Sequence, residues 1–121
     1  MACGGSNAPS PANVAGQWKG TIAVVGELLS YSMTLTQDGS TVAGTWLVEG
    51  GIAGGVAGST TTTTFSGTLI FAIPGCSPPP TAVISGNAGG TTMTWTSPLG
   101  FVGNSAACSD NEAFTIAVTK Q

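Results

Sequence analysis

The sequence predicts an all-β fold: one eight-stranded antiparallel up-and-down β-barrel closed by a loop-to-loop disulfide. First, apolar and polar residues alternate along successive short segments, and no segment has a convincing helical period. Second, Cys76 and Cys108 lie in the two long loops between those segments. Third, the length of 121 residues suits one domain that buries about two thirds of its unfolded surface.

The first half of the chain contains four predicted strands joined by short turns. Alternation is cleanest over residues 29–37, and Asp38-Gly39 after it marks a tight hairpin. The fourth strand is the weakest because three glycines remove side chains from it, which leaves open whether 51–59 is a true strand. The four predicted strands are residues 15–24, 29–37, 41–48 and 52–59.

The second half predicts four more strands separated by two longer loops. A proline-rich stretch at 75–80 ends the fifth strand, because proline cannot donate hydrogen bonds to a sheet. Gly89-Gly90 turns the chain between the sixth and seventh strands, and a loop over residues 98–111 precedes the last one. These four predicted strands are residues 62–73, 81–87, 91–97 and 112–120.

Strand parity indicates that the two long loops meet. In an up-and-down meander the connections alternate between the two ends of the barrel, so those after the fifth and seventh strands share one end. Cys76 follows the fifth strand and Cys108 follows the seventh, which predicts a disulfide between them. Closing a loop of about thirty residues stabilises a fold by roughly 3 to 4 kcal/mol in the chain-entropy model.

The charged residues exclude several classes of function. Two lysines, no arginine and a net charge of −3 leave no basic surface for nucleic acid. The chain has no histidine and few carboxylates, so we expect no enzyme, no cofactor and no metal site. Parity places four acids at the cysteine end, either as solvated rim residues or as a calcium site that no ligand spacing supports: Glu27, Glu49, Asp110 and Glu112.

The first residues resemble the start of a mature bacterial lipoprotein, in which a cysteine after a small residue is lipidated. Met1-Ala2 would then stand in place of the export signal, and Cys3 would carry the lipid. Residues 1–14 are predicted to be a flexible tether and residues 15–121 the barrel domain. This predicts a bacterial cell-envelope protein, anchored in the outer membrane or secreted, that meets the membrane only through Cys3. The alternative is a frayed terminus with an incidental thiol.

Gly16-x-Trp18 at the head of the first strand, followed by a meander of eight strands, resembles the lipocalin and avidin superfamily of small ligand-binding barrels. The Gly-Thr patterns at residues 43–46 and 66–69 resemble those of small secreted bacterial lipoproteins. In lipocalins the tryptophan packs at the closed end under an arginine; here Lys120 is the basic residue near that place. The last strand lacks the acid that avidins bring to biotin, so biotin is not expected.

The predicted interior admits two interpretations. Large inward aromatic residues favour a barrel filled by its own side chains, whereas inward glycines such as Gly54, Gly58 and Gly67 favour leftover space. A cavity would open at the cysteine end, because the Trp18 end is plugged, and would take a neutral, largely apolar ligand with Tyr31 as a hydrogen-bond partner. The candidate ligand-binding residues are Tyr31, Met33, Trp46, Phe71, Met93, Trp95, Leu99 and Phe101.

Two functions follow from these interpretations. The first is a non-enzymatic, exported, lipid-anchored barrel that binds a small hydrophobic molecule at the mouth formed by residues 74–80 and 98–111. The second is a surface structural or interaction module with a solid core. Its protein partner would contact the apolar residues Leu99, Phe101 and Val102 on the 98–111 loop.

Overall fold

A computed structural model of the chain describes residues 10–24 and 26–121. The predicted lipidation site Cys3 and residues 1–9 of the predicted tether lie outside the described residues. The described part forms nine β-strands and a single turn of 3-10 helix at Ala106–Cys108. The strands are β1 (Gly16–Val24), β2 (Glu27–Asp38), β3 (Thr41–Val48), β4 (Ile52–Thr60), β5 (Thr64–Phe71), β6 (Thr81–Asn87), β7 (Thr92–Ser97), β8 (Phe101–Val102) and β9 (Phe114–Lys120).

The strands close into an eight-stranded antiparallel barrel. Each of β1 to β6 pairs with the next strand, β7 pairs with β9, and β9 returns to β1. This up-and-down order confirms the predicted fold class, and the glycine-rich fourth strand is a full member of the barrel. Among the described residues, no helical segment has the length and apolar character needed to cross a lipid bilayer.

The 98–111 segment contains a short strand that the sequence did not predict. β7 pairs with β6 at only two positions, Ser85 and Gly86, and β8 continues the pairing with β6 by placing Phe101 opposite Ala82. The chain reverses at Gly100, which has a left-handed φ of 71° and no room for a Cβ beside the Asp110 carbonyl. The loop is therefore partly built into the barrel wall.

The two ends of the barrel differ. Residues 72–80 and 98–113 lie at one end, here called the mouth, and the Cys76–Cys108 disulfide joins them. Its sulfur atoms are 2.04 Å apart and its Cα atoms 5.8 Å apart, which confirms the predicted pairing. The opposite end, here called the closed end, carries the tight turns after β2, β4 and β6 and the segment before β1.

The closed end is plugged by residues just before β1. The Trp18 indole N–H donates to the Val14 carbonyl at 2.9 Å, and both residues are fully buried. The Gln37 side-chain carbonyl accepts the Val14 amide at 2.7 Å, while its amide group donates to the Ala12 carbonyl at 2.7 Å. The Lys120 ammonium lies 5.8 Å from the Trp18 ring centroid, a cation–π arrangement. Residues 12–14 of the predicted tether thus contact the barrel.

Inward glycines in the barrel wall face aromatic rings. Gly86 on β6 lies between Phe65 on β5 and Trp95 on β7, and the two rings stack at 4.1 Å. A Cβ added to Gly86 would lie 2.8 Å from Trp95 Cδ1, and one added to Gly58 would lie 2.8 Å from Phe65 Cζ. The interpretation that inward glycines leave empty space is wrong at these positions, because the rings occupy that space.

Candidate ligand-binding site

The mouth contains a cavity of about 200 Å³ between the ends of the strands and the folded 98–113 segment. Five aliphatic residues line it: Ile22, Val24, Leu29, Val48 and Ile52. Four aromatic residues complete the apolar lining: Trp46, Phe71, Phe101 and Phe114. The remaining lining residues are the acids Glu27, Asp110 and Glu112. The cavity is therefore an apolar chamber with three acidic residues in its lining.

The aromatic side of the cavity is a single cluster centred on Phe71. Its ring meets the Trp46 ring edge-on at 4.9 Å, stacks on Phe101 at 4.6 Å and meets Phe114 edge-on at 6.1 Å. Such pairs contribute about 0.5 to 1.5 kcal/mol each beyond the area they bury. The cluster gives the cavity a rigid wall built from strands on opposite sides of the barrel.

Gly54 allows the Trp46 and Phe71 rings to meet. It lies on β4 directly between Trp46 on β3 and Phe71 on β5. A Cβ on Gly54 would collide with the Ile70 carbonyl and lie 3.0 Å from Trp46 Cζ2. The Trp46 indole N–H donates to the Gly55 carbonyl at 2.8 Å, which fixes the ring over this strand. The glycine-rich sequence of β4 therefore shapes the cavity wall.

Tyr31 lies behind the cavity wall and keeps an unused polar group. Its ring stacks on Trp46 with centroids 5.9 Å apart, and the side chain is 2% exposed. The Tyr31 hydroxyl is the one buried side-chain polar atom without a hydrogen-bond partner in the described part of the chain. Burial raises the pKa of this phenol above its ordinary value, so the group stays protonated over the neutral range.

The structure divides the eight candidate residues. Three line the cavity: Trp46, Phe71 and Phe101. The five that do not line it are Tyr31, Met33, Met93, Trp95 and Leu99. Met33 and Met93 are buried in the barrel core, where Trp95 stacks on Phe65. Leu99 is 70% exposed.

Most of the missed lining residues stand near the mouth ends of their strands. Ile22 and Val24 close β1, Val48 closes β3, and Phe114 opens β9. The alternation in the sequence already marked Ile22, Val24 and Phe114 as inward. Strand parity shows which end of each strand lies at the mouth. Alternation and parity taken together could therefore have identified these lining residues.

The segment after β7 is held over the mouth by several contacts. The Phe101 amide donates to the Asp110 carbonyl at 3.0 Å, and the Asp110 amide donates to the Phe101 carbonyl at 2.9 Å. The Asn104 side-chain amide donates to the Ser77 carbonyl at 3.0 Å, close to the disulfide. Phe101 consequently turns toward the cavity, whereas the sequence analysis named it both as a candidate ligand-binding residue and, in the alternative function, as part of a contact surface with Leu99 and Val102.

The charged residues distribute unevenly around the barrel. Glu27, Asp110 and Glu112 line the mouth cavity, where no lysine is among the lining residues. Lys19 lies in a groove on the outer wall together with Glu49. Over residues 10–24 and 26–121, no three histidine, cysteine or acidic side chains gather closely enough to hold a metal ion.

Comparison of the chain with family models, with curated proteins and with solved structures found no match. The fold is nevertheless defined by its strand pairing. The closed eight-stranded antiparallel meander is consistent with a calycin-like barrel.

Proposed function

We propose that this protein is a non-enzymatic, exported, lipocalin-like barrel that binds a small hydrophobic molecule at its mouth. The observation that carries the proposal is the apolar cavity of about 200 Å³ with its four aromatic lining residues. Small-molecule sites are typically concave and mostly apolar, with a few polar groups. Because the closed end is plugged and the disulfide joins the loops of the mouth, a ligand would enter from the mouth.

The cavity volume limits the ligand. An engineered apolar cavity of about 150 Å³ in another protein takes up benzene, whereas drug-sized ligands occupy roughly 300 to 1,000 Å³. We therefore expect a ligand of about ten non-hydrogen atoms, such as one ring with a short chain. At about 0.5 kcal/mol per atom, within the usual range for small ligands, the binding free energy is about 5 kcal/mol. This corresponds to a dissociation constant on the order of 0.2 mM.

The test is a titration of the purified barrel with propylbenzene, monitored by NMR chemical-shift changes of the Trp46 indole N–H. Ile52 lines the cavity but is 46% exposed, so Ile52→Trp can fill the cavity without disturbing the deep core. Val83→Trp is the matched control, because Val83 is 67% exposed on β6 and does not line the cavity.

We expect saturable one-to-one binding by the wild type and by Val83→Trp, and at least tenfold weaker binding by Ile52→Trp. If the folded wild type gave no saturable shift, or if Ile52→Trp bound equally well, the cavity would not be a ligand site.

The second candidate function is a protein-interaction module that uses the 98–111 segment. The supporting observation is that Leu99 is 70% exposed and Val102 is 56% exposed, because exposed apolar side chains could contact a protein partner. Phe101 lines the cavity and therefore cannot separate the two functions. Leu99→Ser should abolish association with a protein partner while leaving propylbenzene binding unchanged. Loss of propylbenzene binding in Leu99→Ser would contradict this separation.

The proposed location in a bacterial cell envelope depends on a lipid on Cys3, a residue outside the described part of the structure. The supporting observation is a cysteine, Cys3, that follows a small residue and precedes residues rich in Gly, Ser and Pro. Expression behind a bacterial lipoprotein export signal should add the mass of acyl chains in wild type and not in Cys3→Ser. An unchanged intact mass for the exported wild type would contradict the anchor.

A further inference from the structure

We propose that the molecule bound at the mouth is an organic cation, with its apolar part in the cavity and a protonated amine beside Glu27, Asp110 and Glu112. This inference rests on the proposed function and specifies its ligand class. It differs from the neutral ligand expected from the sequence, because the structure places these carboxylates among the lining residues of the apolar cavity.

The acids reach the cavity from two separate parts of the chain. Glu27 is the first residue of β2, whereas Asp110 and Glu112 precede β9 on the segment folded over the mouth. The backbone pairing of Asp110 with Phe101 fixes Asp110 at the mouth. Its carboxylate also accepts the Glu112 amide at 3.1 Å, which orders the approach to β9. The cavity is therefore lined by acidic residues from two separate segments.

The aromatic lining independently favours a positive charge. Trp46, Phe71, Phe101 and Phe114 line the same cavity, and the faces of aromatic rings attract cations at distances of about 6 Å or less. An organic cation can use these rings and the carboxylates together. An anionic ligand would meet repulsion from both sets of groups.

No basic side chain neutralises the acids that line the cavity. The chain has two lysines, of which Lys120 lies over Trp18 at the closed end and Lys19 faces the outer wall. Glu49 lies at the same end of the barrel but is differently engaged. Its carboxylate accepts the Ser30 amide at 2.9 Å, and it shares the outer groove with Lys19. The unpaired negative charge is thus concentrated at the cavity.

The site suits an organic cation better than a metal ion. A metal ion needs several oxygen ligands converging on one point, and no such cluster occurs among the residues that the structure describes. Most lining side chains are apolar and would leave a bare ion without ligands. An amine attached to a hydrocarbon avoids this cost, because its apolar part fills the chamber while its ammonium group stays near the carboxylates and solvent.

The experiment compares three probes with one carbon skeleton: phenylpropylamine, phenylpropanol and phenylpropionate. We expect the amine to bind about fivefold to tenfold more tightly than the alcohol, and the carboxylate to bind more weakly than either. The expected advantage is modest because each exposed ion pair contributes little. The advantage of the amine should shrink as sodium chloride rises from low concentration to about 0.5 M, because salt screens surface charges.

The variant series locates the effect. In the triple variant Glu27→Gln, Asp110→Asn, Glu112→Gln, the amine should lose its advantage and bind within about twofold of the alcohol, whose affinity is unchanged. Glu49→Gln is the matched control, since it removes one negative charge at the same end outside the cavity and should keep the advantage of the amine.

The outcomes separate the inference from the proposed function. Failure of all three probes to bind the folded protein would overturn the proposed function and the inference with it. Equal affinity for amine and alcohol would leave the hydrophobic site standing and overturn the cationic ligand. An advantage of the amine that survives the triple variant would also overturn it, because the charge would then be recognised elsewhere.

Discussion

Two adjacent glycines on β4 should respond oppositely to the same substitution. Gly54 faces the barrel interior, where a Cβ would collide with the Ile70 carbonyl and press on Trp46. Gly55 faces outward, where a Cβ would lie 3.6 Å from the Gly44 carbonyl and 3.8 Å from Ile70 Cδ1, which are ordinary contacts. Gly54→Ala therefore strains the structure, whereas Gly55→Ala adds a side chain that fits.

The magnitudes follow from these contacts. Overpacking costs about 1 to 3 kcal/mol, and we expect the upper end at Gly54 because the obstacle is backbone of the neighbouring strand. Disturbing the Trp46–Phe71 contact adds about 0.5 to 1.5 kcal/mol. Gly55→Ala should stabilise the fold by about 0.4 to 1 kcal/mol, because alanine restricts the unfolded chain more than glycine does. The two variants should thus differ by about 4 to 5.5 kcal/mol.

Urea unfolding followed by tryptophan fluorescence measures both free energies of unfolding. Repeating Gly54→Ala in a Trp46→Leu background should reduce its cost by about 1 kcal/mol, since the ring contact is already lost, while the collision with the carbonyl remains. Unfolding free energies of Gly54→Ala and Gly55→Ala within about 1 kcal/mol of each other would refute the close strand approach on which the cavity wall depends.

Three further variants test other parts of the barrel. Tyr31→Phe should stabilise the fold by about 1 kcal/mol in urea unfolding, because it removes a buried hydroxyl without a partner, and a loss of stability would show that the hydroxyl is bonded. The pKa of Tyr31 is raised in the folded state, so the free energy of unfolding is independent of this phenol below the ordinary tyrosine pKa of about 10 and decreases as the pH rises above it. In that range wild-type stability should fall by up to about 1.4 kcal/mol per pH unit more than the stability of Tyr31→Phe. Parallel plots of stability against pH for the two proteins would contradict the burial of the phenol. Replacing Cys76 and Cys108 by serine should cost roughly 3 to 4 kcal/mol by thermal unfolding, and an unchanged melting temperature would mean that the loop is not closed in solution. Gln37→Ala should lower the free energy of unfolding by about 1 to 3 kcal/mol. It should also speed hydrogen exchange of the Val14 amide, which donates to the Gln37 side chain in the wild type. An unchanged exchange rate would mean that the plug at the closed end does not depend on Gln37.

The barrel was predictable because its signals are local. The strict alternation of β2 assigns Tyr31, Met33 and Leu35 to the interior, and all three are buried. Parity of the strands then brought Cys76 and Cys108 to one end without any information on their distance. These inferences need only the period of the side chains and the count of strands, both of which are present in the sequence.

The site was less predictable because its shape depends on contacts between segments that are far apart in the sequence. β8 exists only because β6 extends past the end of its pairing with β7, a property of register rather than of the Phe101-Val102 sequence. For the same reason, alternation could not show that Phe101 turns toward the cavity while Leu99 is left in solvent. The sequence grouped Trp95 with Trp46, whereas Trp95 stacks on Phe65 and does not line the mouth cavity, because alternation marks a residue as inward without giving its depth along the barrel.

The barrel interior is filled by side chains over most of its length and leaves a cavity at the mouth. Glycine opposite an aromatic residue lets the rings cross the interior, as Gly86 does for Phe65 and Trp95 and Gly54 does for Trp46 and Phe71. At the closed end the chain itself supplies the final layer through Val14 and Trp18. At the mouth the folded segment contributes Phe101 from one side and leaves a chamber beside it. A ligand at the proposed site would therefore add to the aromatic cluster instead of displacing the core, so its binding should raise stability without requiring the barrel to open.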